Sequence, residues 1–323
     1  MTEWPCTNPA SGGLVSIVGP TAVGKSAFAA DLARRFGGEI ISCDSMAVYR
    51  GLDIGTDKPD DAARAQIPHH LLDVAEPGGF FSAGAFRKRA LEAMGDIHSR
   101  GRLCILVGGT GLYYRALSQG LVTTPGRDEA VRLRLRARIA RKGPEALHRI
   151  LVRLDGAAAA RIGLRDSLRI VRALEVRLLT GRPLSAWISE SPFGASALPA
   201  HPRVGLTAPL QDLYARIDAR VDRMVERGLL DEVRGLMDRG CLTGPARKAI
   251  GYGELADHLL GLMSMVDAVA KIKLRSRRLA RRQMAWFRGE RGITWYTLDN
   301  REVWRHESME FIERQLKEGR AEP

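Results

Sequence analysis

No run in the 323-residue sequence approaches the roughly 18 to 20 apolar residues that a membrane-spanning helix needs, which excludes an integral helical membrane protein. The opening MTEWPCTNPASGG lacks the basic and apolar stretches of a secretory signal, so a cytoplasmic protein is expected. Cysteine is sparse. Cys6, Cys43, Cys104 and Cys241 stand far apart and form no CxxC pair, which argues against a structural zinc site and a disulfide framework and leaves reduced, mostly buried thiols. Aromatic residues make up only 6% of the chain, yet 45% hydrophobic and 27% charged residues are the proportions of a globular protein with a sizeable core. Internal repeats and low-complexity tracts are absent. Acidic charge is the last deficit: 37 Asp and Glu face 50 Lys and Arg, and the net +13 favours a polyanionic partner such as nucleic acid or a phosphorylated ligand.

What is present is unevenly placed. Val131 to Arg182 carries 14 basic and 4 acidic residues, and Lys271 to Arg291 carries 9 and 1, so the rest of the chain is net −5. Each block has apolar residues at helical spacing, Leu133, Leu135 and Ile139 in the first and Ile272, Leu279 and Trp286 in the second, with arginines on the opposite faces. One such block reads equally well as a solvated helix surface. Two blocks on a net-negative body point to a long polyanion, from which Lys and Arg displace condensed counterions.

Short apolar runs alternate with helical patterns. Leu14 to Val18, Glu39 to Cys43, Leu103 to Val107, Val204 to Thr207 and Ile293 to Leu298 read as strands, and a helix through Phe28, Leu32 and Phe36 follows the first. The expected fold is α/β: a phosphate-loop NTPase-like parallel sheet flanked by helices, with ligands beyond the strands' carboxyl ends. Residues 125–202 read as a helical insertion, and residues 1–124 and 203–323 as the core with C-terminal helices.

Gly19-Pro20-Thr21-Ala22-Val23-Gly24-Lys25-Ser26 matches GxxxxGK[ST] between a strand and a helix. Backbone amides and the helix N-terminus would face phosphate oxygens, Lys25 would neutralise them, and Ser26 could ligate Mg²⁺. The loop is shared with ATP-binding proteins, but neither later strand ends in the acidic hydrolysis signature. The Cys104 strand runs into Gly108-Gly109-Thr110, and the Glu39 strand into Cys43-Asp44-Ser45. Asp44 could serve magnesium, cap a helix, or act as a base on an acceptor held over the phosphates.

GPTAVGKS (19–26), ISCDSMAVYRGLDIGTDKP (41–59), PHHLLD (68–73), FSAGAFRKRAL (81–91), LVGGTGLYYRAL (106–117), RIVRALEV (169–176), LYARIDARVDRMVERGLLDEV (213–233), AIGYGEL (249–255) and ARRQMAWFRG (280–289) together resemble one family. It is that of the tRNA dimethylallyltransferases, or tRNA isopentenyltransferases, in their bacterial form. The resemblance spans nearly the whole chain. It implies transfer of a dimethylallyl group from its diphosphate to N6 of adenosine 37 beside the tRNA anticodon, with Mg²⁺ as cofactor. The loop would then hold a diphosphate leaving group, which explains the missing hydrolysis signature.

The resemblance also implies roles. Lys25, Arg220, the loop amides and Mg²⁺ near Ser26 would neutralise the leaving group, Thr110 would bond the diphosphate or its metal, and Asp44 would take a proton from N6. Asp44, Ser45, Met46, Ala47, Thr110, Arg169, Arg172, Lys248, Gly251, Tyr252, Arg281, Arg282, Gln283, Trp286 and Arg288 would contact tRNA, the insertion adding a second grip on the anticodon stem. Without the resemblance, Arg216, Arg220, Arg223 and Arg227 read as a solvated stripe paired with Asp212, Asp222 and Glu226. Trp286 and Phe287 fit core or base stacking equally, and His69 and His70, pointing apart, fit a structural role better than metal binding. A small-molecule kinase and an RNA-binding NTPase are the alternatives. Nothing in the sequence requires an oligomer, and a monomer is expected.

Overall fold

The computed structural model describes residues 13–122, 124, 126–190, 198–298 and 303–318. Cys6 and Pro125 lie outside them. The chain divides into two compact units, Met1–Leu117 with Leu198–Pro323, and Ser118–Ala197. The insertion anticipated over 125–202 is thus drawn from an earlier start and ends before Pro202.

The first unit is built on six parallel strands: β1 Leu14–Val18, β2 Gly38–Ser42, β3 His69–His70, β4 Leu103–Gly108, β5 Arg203–Thr207 and β6 Thr294–Thr297, in the order β3-β2-β4-β1-β5-β6. β1 lies between β4 and β5 and is buried throughout, as a strand covered on both faces must be. Its side chains alternate between two cores. Val15 and Ile17 join Phe28 and Leu32 of helix Lys25–Phe36, and Leu14 and Val18 join Phe86 and Met94 of helix Ala83–Ser99. The five strands expected from apolar runs are all present. β3 was not foreseen, because two histidines carry no apolar signal. Its residues are held structurally, His69 Nδ1 lying 2.7 Å from the Ile67 carbonyl oxygen and His70 Nε2 2.7 Å from Glu39 Oε2. Cys43 and Cys104 are buried free thiols, and their desolvation raises both above the ordinary thiol range.

Parallel order brings three carboxyl ends together: the phosphate loop after β1, Asp44 after β2 and Thr110 after β4. Two later helices, Leu210–Glu226 and Met265–Arg288, pack on each other and are joined by ion pairs from Lys273 to Asp222 and from Arg277 to Asp218. Among the described residues no helix is long and apolar enough to cross a membrane.

The second unit is helical. Helices Glu129–Lys142, Pro144–Leu154 and Ser167–Thr180 enclose a small core of Leu147, Leu151, Ile170, Ala173 and Leu174, against which Leu135 and Ile139 pack. Leu133 is exposed, contrary to the apolar stripe read from the sequence, and Val131 is buried. The fully buried Glu175 accepts from Arg132 Nε at 2.7 Å, from Arg172 Nη1 at 2.5 Å and from the Asp128 amide at 2.9 Å.

Candidate functional site

The phosphate loop is held in a strained form. Gly19 has φ +142°, and a Cβ there would lie 2.3 Å from the Leu206 carbonyl oxygen of β5, so only glycine fits. Ala22, a residue with a side chain, sits at φ +63°, a left-handed conformation that neighbouring contacts must maintain. Gly24 precedes helix Lys25–Phe36, whose first turn has no side-chain cap, and the half-buried Lys25 donates from Nζ to the Pro20 carbonyl at 2.6 Å. Burial, and then the Arg220 charge, lower the Lys25 ammonium to about 7, against the opposing pull of Asp44.

That lowered value fixes the sign of a pH effect. A bound diphosphate favours the charged ammonium, so its pKa rises toward the ordinary lysine value on binding, and in the interval above about 7 binding takes up a proton. Relative to Lys25→Met, which shares the ligand's own titration, the native protein's affinity for inorganic diphosphate should therefore fall as pH rises from 7 to 9, by up to about tenfold per unit. Calorimetry in buffers of different ionisation enthalpy should show more proton uptake for the native protein than for Lys25→Met. An identical pH dependence in the two proteins would remove Lys25 from contact with the anion.

Asp44 lies at the end of β2. Its Oδ1 accepts from the Met46 amide at 2.7 Å and the Ala47 amide at 3.3 Å, capping the turn that follows. The capping role is thus observed, and it occupies only one of the two carboxylate oxygens. Thr110 Oγ1 accepts from the Ser45 amide at 3.0 Å, joining the ends of β2 and β4.

Arg220 reaches the loop from helix Leu210–Glu226. Its Nη1 donates to Thr21 Oγ1 at 2.8 Å, and Nε lies 3.3 Å from Asp57 Oδ2. The partners expected for the arginine stripe are corrected here. Asp57, far off in sequence, pairs with both Arg220 and Arg227, while Asp222 pairs with Lys273. The loop carrying Asp57 is anchored by Glu232, whose carboxylate accepts from the amides of Asp53, Ile54 and Gly55 at 3.1, 2.8 and 3.3 Å and from the Tyr252 hydroxyl at 2.6 Å.

Two cavities meet at these residues. One, about 500 Å³, is walled by Met46, Val221, Met224, Ile250 and Trp286, with Lys248 and Arg282 among its polar residues. The other, about 600 Å³, contains Lys25, Ser26 and Ala47. Thr21, Asp44, Thr56, Arg220 and Gln283 line both, so a ligand on the phosphate loop and a ligand in the more apolar cavity would meet there.

The residues read as RNA contacts separate into groups. Ser45, Met46, Thr110, Lys248, Gly251, Arg282, Gln283 and Trp286 line the first cavity, whereas Ala47 faces the second. Tyr252 is wholly buried with its hydroxyl committed to Glu232, so direct contact with RNA is ruled out for it. Arg281, Arg282 and Arg288 are exposed on helix Met265–Arg288, and Phe287 is buried. Trp286 has the guanidinium of Arg115 4.4 Å above its ring. Arg169 and Arg172 belong to the helical insertion. Arg172 pairs with Glu175, and Arg169, more exposed, with Asp166. Sequence reasoning missed Asp57, Glu232 and Arg115, whose partners lie far away along the chain.

A parallel sheet carrying a phosphate loop, with a second cavity opening onto that loop, is the architecture of a phosphate-loop protein with room for two ligands side by side. A model of the IPP transferase family matches residues 47–290. The tRNA dimethylallyltransferase of Geobacter metallireducens is 49% identical over 283 residues, 87% of this chain and 91% of that one. Among solved structures, the tRNA isopentenylpyrophosphate transferase of Bacillus halodurans is 41% identical, with a TM-score of 0.69 over 95% of this chain and 97% of that one. A eukaryotic dimethylallyltransferase acting on tRNA is 27% identical, with a TM-score of 0.77 over 93% and 77%. The chain belongs to the IPP transferase family.

Proposed function

We infer that this chain is a tRNA dimethylallyltransferase, transferring a dimethylallyl group from dimethylallyl diphosphate to N6 of adenosine 37 and releasing diphosphate. The observation that carries the reading is the wall shared by the two cavities, where Asp44 and Arg220 face both the phosphate loop and the more apolar chamber. The diphosphate takes the loop, the adenine takes the chamber lined by Met46 and Trp286, and the allylic carbon lies between them.

As the C–O bond breaks, its electron pair passes to the diphosphate oxygen. Lys25, Arg220 and the loop amides neutralise the growing charge. The N6 lone pair is delocalised into the ring and makes a weak nucleophile, so Asp44 accepts an N6 proton as the C–N bond forms. Thr110 fixes Ser45, and with it the turn that aims Asp44. The Ser26 hydroxyl faces the diphosphate cavity and would hold Mg²⁺, an ion typically held by few protein oxygens together with substrate phosphates. When bound, it supplies further neutralisation of the leaving group. Arg281, Arg282 and Arg288 grip the RNA backbone, and the insertion's arginines, Arg169 among them, grip the anticodon stem. We assign the protein to the cytoplasm as a monomer.

Labelled dimethylallyl diphosphate, Mg²⁺ and unmodified tRNA incubated with the protein should yield RNA carrying the label. Folded protein that binds tRNA yet transfers no label would overturn the reading. ATP-dependent phosphorylation of a small acceptor would instead indicate a kinase, and nucleotide-dependent RNA affinity without product a regulatory NTPase.

A further inference from the structure

Gln283 was read from the sequence as an RNA contact, but both ends of its amide are engaged within the protein. Its Oε1 accepts from the Thr21 amide of the phosphate loop at 2.8 Å, and its Nε2 donates to the Gly109 carbonyl at 3.0 Å. A Cβ on Gly109 would lie 2.1 Å from that Nε2, and one on Gly111 would lie 2.3 Å from Cδ1 of Trp286, one turn further along the helix. The inner face of helix Met265–Arg288 therefore embraces Gly109 and Gly111 on either side of Thr110. Its outer face presents the exposed Arg281 and Arg288, while Arg282 lies at the edge of the first cavity.

Thr21 is pinned twice, at its amide by Gln283 and at its hydroxyl by Arg220, immediately before the strained Ala22. A strained loop persists only while its surroundings hold it, so the position of this helix sets the shape of the phosphate site.

We propose that Gln283 is a positioning residue that couples RNA docking on the outer face of the helix to diphosphate binding on the phosphate loop. The proposal rests on the transferase reading above. RNA seated on Arg281 and Arg288 favours the helix position in which Gln283 bonds Thr21 and Gly109, and the diphosphate favours the loop shape those bonds maintain. Such coupling is reciprocal, each ligand tightening the other by the same factor.

The test is calorimetric titration of the full chain with inorganic diphosphate and Mg²⁺, with and without saturating unmodified anticodon stem-loop RNA. For the native sequence the ratio of the two dissociation constants should be on the order of tenfold. Gln283→Met, which keeps the volume and removes both hydrogen bonds, should bring the ratio close to one. Gln283→Glu, which keeps an acceptor for Thr21 but has no donor for Gly109, should keep only part of it and serves if the Met variant does not fold. A structural defect that merely weakens one binary complex cancels in the ratio. A native ratio of one with both ligands bound, or an unchanged ratio in either variant, overturns the coupling alone. Failure of the native protein to bind RNA or diphosphate overturns the transferase reading and the coupling with it.

Discussion

Asp44→Asn should lower the single-turnover rate of prenyl transfer by about 10²- to 10⁴-fold, the usual contribution of a general base. The substitution isolates the chemistry from the architecture. Asn keeps a side-chain oxygen to accept from the Met46 and Ala47 amides, so the turn after β2 stays capped. What disappears is the second carboxylate oxygen and its ability to take a proton, since an amide nitrogen only donates. Affinities for tRNA and for inorganic diphosphate should stay within a few fold of the native values, because Lys25, the loop amides and the exposed arginines are untouched. Rapid-quench measurement with enzyme in excess over tRNA reads the chemical step directly. A rate within threefold of native would remove Asp44 from proton transfer.

Glu175→Ala should destabilise the helical insertion by about 3 kcal/mol, the low end of the cost of breaking a buried ion pair, because the carboxylate is fully buried while Arg132 and Arg172 are partly so. Arg132 and Arg172 converge on this one carboxylate, which also anchors the amide of Asp128 ahead of helix Glu129–Lys142. With so few fully buried apolar side chains in the unit's core, a loss of this size is a large fraction of the stability of a small domain. Limited proteolysis should cut within Ser118–Ala197 while diphosphate binding persists, because the phosphate loop belongs to the other unit. Glu129→Gln is the control: its partners Arg127 and Arg136 form half-exposed pairs, worth about 0–1 kcal/mol. Burial opposes ionisation of Glu175, but hydrogen bonds from Arg132 and Arg172 outweigh it and hold the carboxyl at about 2. A depressed carboxylate stabilises fully above its ordinary value near 4.5, and that stabilisation is lost as pH falls from there toward 2. Acid titration of native protein should thus open the insertion in that window, and the variant should lack this component.

The strands were legible wherever an apolar run was long enough to be buried on both faces, as in β1 and β4. β3 escaped because its place in the sheet comes from pairing with β2 and from the contact of His70 with Glu39, neither of which a local pattern encodes. At the site, the phosphate loop was readable because its spacing is its mechanism, and Asp44 and Thr110 because they follow strands. Arg220 could be singled out, but Asp57 could not, since 163 positions separate them and only the fold makes them neighbours. Gln283 was noticed for its company of arginines, which describes the outer face of its helix, while its own amide points to the inner one. Tyr252 is placed at the tRNA by the resemblance alone, and only the position of Glu232 shows that its hydroxyl faces inward.

Glu232 carries one more consequence. Three successive amides converging on a single point form an anion receptor of the same general kind as a phosphate loop. Here the receptor is filled by Glu232, so the loop that places Thr56 and Asp57 beside the cavities is held by an internal counter-charge instead of by a ligand.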